Sequence, residues 1–360
     1  MHAVHDAVLR FISGQEGNFE TLALAVFRHQ FEGIAPYRRY CEQRGTGIAA
    51  VRSWREIPPV PVLAFKETEL ACAAPQRVFL TTGTSRGHQR RGRHALPDVR
   101  LYHASAVGGL RRFLWPDLER VPIVSLIAPP AAMPDSSLSQ MVAWAMEEYP
   151  ADGSIYAASA AGIDYTACAA ALRAAERSGN PICLLATTAA LIYLLDHCAV
   201  GGVSFRLPHG SRLMDTGGHK GAPRPLSRRG LLRACWNTFA IPGYFCVNEY
   251  GMAELSSQFY ENVISNRWRG HFAPRYLVAP PWARVRLLDP ATLDDVPAGE
   301  RGLVCVYDLA NAGTALAVLT EDIGRQAGDG FVIVGRATGA ATRGCSLSAA
   351  EWDAAAESRQ

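Results

Sequence analysis

The stretch YFCVNEYGMAE (244–254) opens on an apolar run and closes on polar residues around a glycine. The apolar half predicts a buried β-strand; the polar half predicts its end and a following turn. Tyr250 offers a flat face for an aromatic base. Gly251 permits a tight turn. Glu254 is an anionic oxygen ligand of the kind Mg²⁺ prefers.

Upstream of this strand, the runs RVFLT (77–81), VPIVSLIA (121–128), PICLLA (181–186) and SRLMD (211–215) also read as strands. They alternate with helical patterns near 97–115, from Ser136 through Met146, and near 163–178. The last of these helices meets a clear stop at Ser178-Gly179-Asn180-Pro181. Apolar strands alternating with helices predict an α/β fold with mostly parallel sheets flanked by helices. Downstream, RVRLLD (284–289), LVCVYDL (303–309) and FVIVG (331–335) lie closer together, with turns at Pro297-Ala298-Gly299 and Gly328-Asp329-Gly330. These predict a smaller β-rich subdomain. The chain begins with helical periodicity over residues 1–45. IPPVPVLAF (57–65) reads as an extended connector to Lys66, because its prolines remove donors and bias their predecessors to extended geometry.

The 360 residues, 49% hydrophobic and 19% charged, are ordinary for a soluble globular protein. A net charge of +3 is too small to point to nucleic acid. The start shows no signal-peptide pattern. The longest uncharged apolar run, Pro181 to Leu195, is too short to span a bilayer and contains Thr187 and Thr188. A cytoplasmic protein with no membrane insertion is expected. Nine cysteines without a C-x-x-C predict reduced thiols, with Cys183, Cys198, Cys235, Cys246 and Cys305 in the core. Lys66 and Lys220 are the only lysines among 36 basic residues. Where arginine fills nearly every cationic position, a retained lysine suggests that a compact ammonium is wanted.

Three more motifs complete a set in fixed order. In TTGTSRG (81–87), backbone N–H groups and the hydroxyls of Thr81, Thr82, Thr84 and Ser85 can converge on phosphate oxygens, and Gly83 and Gly87 allow close approach. The loop lacks the Gly-Lys-Ser/Thr step of a Walker loop. Arg86, His88, Arg90, Arg91 and Arg93 add positive charge. In TEDIGR (320–325), Asp322 can accept from two vicinal hydroxyls. In GRATGAATRGCS (335–346), Arg336 can donate to a sugar or phosphate oxygen, and Cys345 offers a thiol. Taken singly, each motif is an ordinary loop, turn or strand end. The order gives them meaning.

That order resembles the adenylate-forming superfamily of acyl-CoA synthetases, nonribosomal adenylation domains and luciferases. The resemblance implies a triphosphate loop at Thr81 to Gly87, adenine and Mg²⁺ at Tyr250, Gly251 and Glu254, and ribose at Asp322 and Arg336. IPPVPVLAFKETEL, MDTGGHKG and the Arg-Gly-Cys-Ser-Leu end are similar to the acyl-protein synthetase (LuxE-type) branch, over about residues 57–348. This branch implies that a carboxylic acid, such as a fatty acid, becomes an acyl-AMP at the expense of ATP. The acyl group then passes to Cys345, and from there to an acceptor protein or small nucleophile. Gly217 and Gly218, within MDTGGHKG, are expected in the nucleotide site; in place of the catalytic lysine that the superfamily carries on its C-terminal lid, Lys66 or Lys220 is expected to supply a charge at the α-phosphate. The expected organisation is an adenylate-forming core at 1–335 (a helical start to 56, an α/β part at 57–270 and a β-rich part at 271–335). A short tail at 336–360 then stands where a C-terminal lid domain is usual.

Two departures keep alternatives open. Ala253 stands where the superfamily places a threonine on the α-phosphate, a loss on the order of 1 kcal/mol. The missing lid disfavours CoA ligation. A stand-alone ligase passing its acyl group directly to CoA, a carrier protein or an amine is one alternative. A nucleotide-binding protein that has lost the chemistry is another.

Overall fold

The computed structural model describes residues 2–81, 91–218, 221–337, 351–352 and 355. The chain forms two compact units, each built from separate stretches of sequence. The first comprises residues 1–108, 252–258 and 278–360; the second comprises 109–251 and 259–277. The sequence reading draws contiguous boundaries at 56, 270 and 335, whereas these units interleave along the chain.

The first unit opens with helices Ala3–Ile12, Phe19–Gly33 and Ala35–Gln43, as their periodicity predicts. Asn18 caps the second, its side chain accepting from the Thr21 N–H at 3.3 Å. Val26 and Phe27 of that helix are buried, and so is Gln30. The Gln30 amide donates to the carbonyls of Asn311 and Ala312 and accepts from the Leu316 N–H. A fully buried amide is tolerated because each of its polar ends is satisfied. The β-rich part is an antiparallel meander of Ala283–Leu288, Arg301–Asp308, Ala317–Ala327 and Gly330–Arg336. Val60–Pro61 adds to it in parallel, Val60 opposite Val318.

Three local expectations for this unit change. The connector at 57–65 is extended only in part: Ala64–Glu67 forms one helical turn that carries Lys66. Its residues are good helix formers once the last proline has passed. Arg93–Leu96 is a strand, paired antiparallel with Arg77–Leu80. The glycine-rich segment therefore joins two strands of a hairpin instead of a strand and a helix. Ala317–Ala327, 11 residues long, is also a strand that its polar second half concealed.

The second unit meets the α/β expectation. Its sheet runs in the order Phe259–Glu261, Cys246–Tyr250, Arg212–Thr216, Cys183–Thr187, Ile123–Ser125, Ile155–Tyr156. All neighbours are parallel except the first pair. Leu184, Leu185, Leu213 and Val247 are fully buried, as a sheet covered on both faces requires. Helices Ser137–Glu148, Tyr165–Ser178, Thr188–Val200 and Arg228–Phe239 are each capped by the preceding side chain, from Ser136, Asp164, Thr187 and Ser227. Gly179 ends the second of these at φ +71°, a left-handed conformation that favours glycine. In such sheets ligands bind beyond the carboxyl ends of the strands, and Thr216 and Tyr250 stand at two such ends.

Candidate active site

Within the first unit, the ends of the glycine-rich segment are tied together. Thr81 N–H donates to the Gly92 carbonyl at 2.9 Å, and Gly92 N–H donates to Thr81 Oγ1 at 2.8 Å. Arg91 Nε donates to the Thr81 carbonyl at 2.6 Å. Gly92 has little spare room: a Cβ there would lie 3.0 Å from Thr81 Cγ2 and 3.4 Å from both Thr81 Oγ1 and Glu254 Oε1. The first and second motifs therefore meet at one point.

Glu254 is 6% exposed. Burial pushes its carboxyl up to about 7. A hydrogen bond from its own N–H and the Lys66 and Arg336 charges oppose that rise, while Glu321 adds to it. Two hard oxygens, Glu254 Oε1 and Thr81 Oγ1, thus border one spot. A carboxylate penalised by burial is a group that a divalent cation would restore to its charged form, so these residues fit Mg²⁺.

The third and fourth motifs face each other across a strand pair, Asp322 opposite Arg336. Arg336 Nε lies 3.4 Å from Asp322 Oδ1, and its Nη2 lies 3.2 Å from Glu321 Oε2. The guanidinium is 59% exposed, so these pairs do little for stability. They set a largely buried Asp322 carboxylate beside a largely exposed arginine side chain.

Sequence reasoning missed the residues that hold Glu254 in place. The Asn311 amide donates to the Glu254 carbonyl at 3.0 Å, and its Oδ1 accepts from the Ser256 N–H at 3.0 Å. Asp308 accepts from the N–H groups of Ser256 and Ser257, at 3.0 and 2.7 Å, and from the Ser257 hydroxyl at 2.6 Å. Burial raises the Asp308 carboxyl to about 6 against those hydrogen bonds. His94, 2% exposed, donates from Nδ1 to the Ala253 carbonyl at 2.8 Å. Its Nε2 lies 3.1 Å from Thr314 Oγ1. Burial lowers His94 to about 4, so the ring is neutral and Nε2 can accept from that hydroxyl. The signal available beforehand was polar residues inside apolar runs, as in LVCVYDLAN.

The second unit carries the other half of the second motif. Tyr250 ends its strand with its ring 6.0 Å from that of Phe259, and Gly251 follows. Gly217, at φ +75°, and Gly218 follow Thr216, and a Cβ on either would meet nothing within 4 Å. Below them lies a buried network. Asp215 accepts from Thr188 Oγ1, Asn248 Nδ2 and Arg228 Nη1. Arg228 and Arg275 also bind Glu261. The Thr216 hydroxyl donates to Glu249, whose carboxyl burial pushes up to about 7.

Thr82, Gly83, Thr84, Ser85, Gly87, Lys220 and Cys345 lie outside the described residues. Of the remainder, the first unit brings together Thr81 and Glu254, with Lys66 and Arg336 acting on that carboxyl, and pairs Asp322 with Arg336. Gly217, Gly218, Tyr250 and Gly251 belong to the second unit.

The family model "Acyl-protein synthetase, LuxE" matches residues 12–352. The chain belongs to this family. A long-chain-fatty-acid–luciferin-component ligase of Vibrio harveyi is 24% identical over 340 residues, covering 91% of this chain and 86% of that protein. The ligase of the same name from Aliivibrio fischeri is 26% identical over 186 residues, 49% of this chain and 47% of that one. Among solved structures, a 2-hydroxyisobutyryl-CoA ligase with its acyl-AMP in the postadenylation state aligns with a TM-score of 0.64 at 16% identity. It covers 88% of this chain and 67% of that chain. At that identity the likeness shows the fold, which is that of adenylate-forming ligases. Family and fold agree on the enzyme class: this LuxE-family protein is an ATP-dependent acyl ligase.

Proposed function

We propose that the protein joins a long-chain carboxylic acid to AMP and then holds the acyl group as a thioester on Cys345. The observation that carries this reading is the buried Glu254 carboxylate set against Thr81 and Gly92, under the charges of Lys66 and Arg336. That is an oxygen-rich, cation-flanked place for a triphosphate. The long-chain acid comes from the names of the curated relatives.

In this reading, Thr81 and the segment Thr82, Gly83, Thr84, Ser85 and Gly87 cradle the triphosphate. Glu254, with Thr81, holds Mg²⁺, which when bound neutralises phosphate oxygens. Tyr250, Gly251, Gly217 and Gly218 receive the base, and Asp322 and Arg336 the ribose. A carboxylate oxygen of the substrate attacks the α-phosphorus and pyrophosphate leaves. Lys66 or Lys220 steadies the charge on the α-phosphate. The Cys345 thiolate then attacks the acyl carbon and AMP leaves; a mixed anhydride makes that step easy. An acceptor protein or small nucleophile takes the acyl group from the thioester. We place the enzyme in the cytoplasm, where thiols such as those of the eight described cysteines stay reduced.

The test is incubation with ATP and labelled long-chain acids. It should give acid-dependent pyrophosphate exchange and a hydroxylamine-sensitive label on the protein. Cys345→Ser should keep the exchange and lose the label. Equal labelling of that variant would move the thioester elsewhere, and no exchange with any acid would end the ligase assignment.

A further inference from the structure

The second unit presents aromatic and arginine side chains that the ligase reading does not use. Phe272 is 98% exposed, Trp268 62%, Trp236 50% and Tyr244 39%. They come from neighbouring elements: helix Arg228–Phe239, the short turn Gly243–Phe245, helix Val263–Trp268 and the segment after it. Arg229, Arg233, Arg267 and Arg269 are exposed among them. The Arg267 guanidinium lies 4.2 Å from the Tyr244 ring centroid. Residues 228–245 and 262–276 contain no aspartate or glutamate. Arg112 faces the same like-charge crowding: its pKa is lowered by burial first and by the Arg269 charge second.

We propose that this face rests on the surface of an anionic lipid bilayer. Trp268 and Phe272 enter the headgroup–acyl boundary, and the arginines meet lipid phosphates. Two observations favour a bilayer over an acidic protein. The rings stand out into solvent, with Phe272 almost fully exposed. Tryptophan and tyrosine beside arginine is the composition that settles at a membrane–water interface. Among the described residues no helix is long and apolar enough to cross a membrane, so the face lies on the bilayer and does not span it. If the substrate is a long-chain acid, as proposed above, the contact sets the enzyme where such acids partition.

The experiment is sedimentation of the full chain with vesicles of phosphatidylcholine, alone or with about one-third phosphatidylglycerol, without ATP or acid. Its failure is therefore distinct from failure of the ligase reading. Binding should require the anionic lipid and fall with added salt. The double variant Arg267→Gln, Arg269→Gln should bind about 30-fold more weakly, at about fivefold per charge. Trp268→Ala with Phe272→Ala should lose at least about tenfold, since two rings leave the interface. A charge-matched control in the first unit, Arg301→Gln with Arg325→Gln, should bind as the parent does, with circular dichroism reporting folding of each variant. Sedimentation no greater with anionic than with neutral vesicles overturns the proposal. So does equal weakening in the control, which would reduce the effect to net charge. Retention on immobilised polyglutamate without vesicle binding would assign the face to an acidic protein.

Discussion

Glu254→Gln should make the protein more stable at alkaline pH while abolishing pyrophosphate exchange. The carboxyl is raised from 4.5 to about 7, chiefly by burial. An acid raised in the folded state adds no penalty below its unfolded pKa. It costs stability progressively as pH climbs through the folded value. At about 1.4 kcal/mol per pKa unit, ionising Glu254 in the folded protein costs about 3 kcal/mol by pH 8 or so. Glutamine keeps the shape and removes the charge, so the variant escapes that loss. Asp308 and Glu249, raised to about 6 and about 7, titrate in the same window. Both are present in each protein, so the difference between the two isolates Glu254. In urea, with a slope of about 3 kcal/mol per molar, the variant's midpoint should lie about 1 M above the parent's near pH 8. Near pH 4.5 the two should coincide. Exchange should disappear at both pH values, because the amide cannot replace an anionic ligand. A variant less stable than the parent near pH 8 would refute the burial argument. A variant that still exchanges pyrophosphate would remove Glu254 from the site.

Asp308→Ala leaves the Ser257 N–H and hydroxyl and the Ala310 N–H without their acceptor, while the Ser256 N–H keeps Asn311 Oδ1. It should cost more than about 3 kcal/mol in urea unfolding, with Asp308→Asn well below that; equal losses would show that packing, and not hydrogen bonding, holds the loop. Ala253→Thr supplies the hydroxyl that the superfamily places on the α-phosphate. Pyrophosphate exchange should rise by about fivefold, the equivalent of about 1 kcal/mol, and an unchanged rate would mean that this contact is made by another group.

Most of the second unit is legible in the sequence because its strands are apolar runs bounded by turn residues. PICLLA, SRLMD and YFCVNEY state their structure with one physical signal, and Thr187 and Asp164 mark helix starts plainly. The first unit is harder to read. Arg93–Leu96 is too short and too polar to register as a strand; it pairs because Ala95 and Leu96 are buried and His94 finds two polar partners. Ala317–Ala327 changes from apolar to charged part-way along, so its pattern breaks where its burial does. The motif order singles out Glu254, Asp322 and Arg336 as candidates. It says nothing of Asp308, Asn311 or His94, which act on backbone atoms far away in sequence, and no local pattern encodes such partners.

Interleaving of the two units has a consequence for how the enzyme comes into being. The 252–258 loop leaves the ribosome well before Asp308 and Asn311, which fix it. Asp322 and Arg336 arrive later still. A nascent chain therefore carries the whole glycine-rich segment and the whole of NEYGMAE well before the residues that fix the 252–258 loop exist. In the reading proposed above, capacity for chemistry waits for Arg336, so a chain terminated before it would have little means to spend ATP.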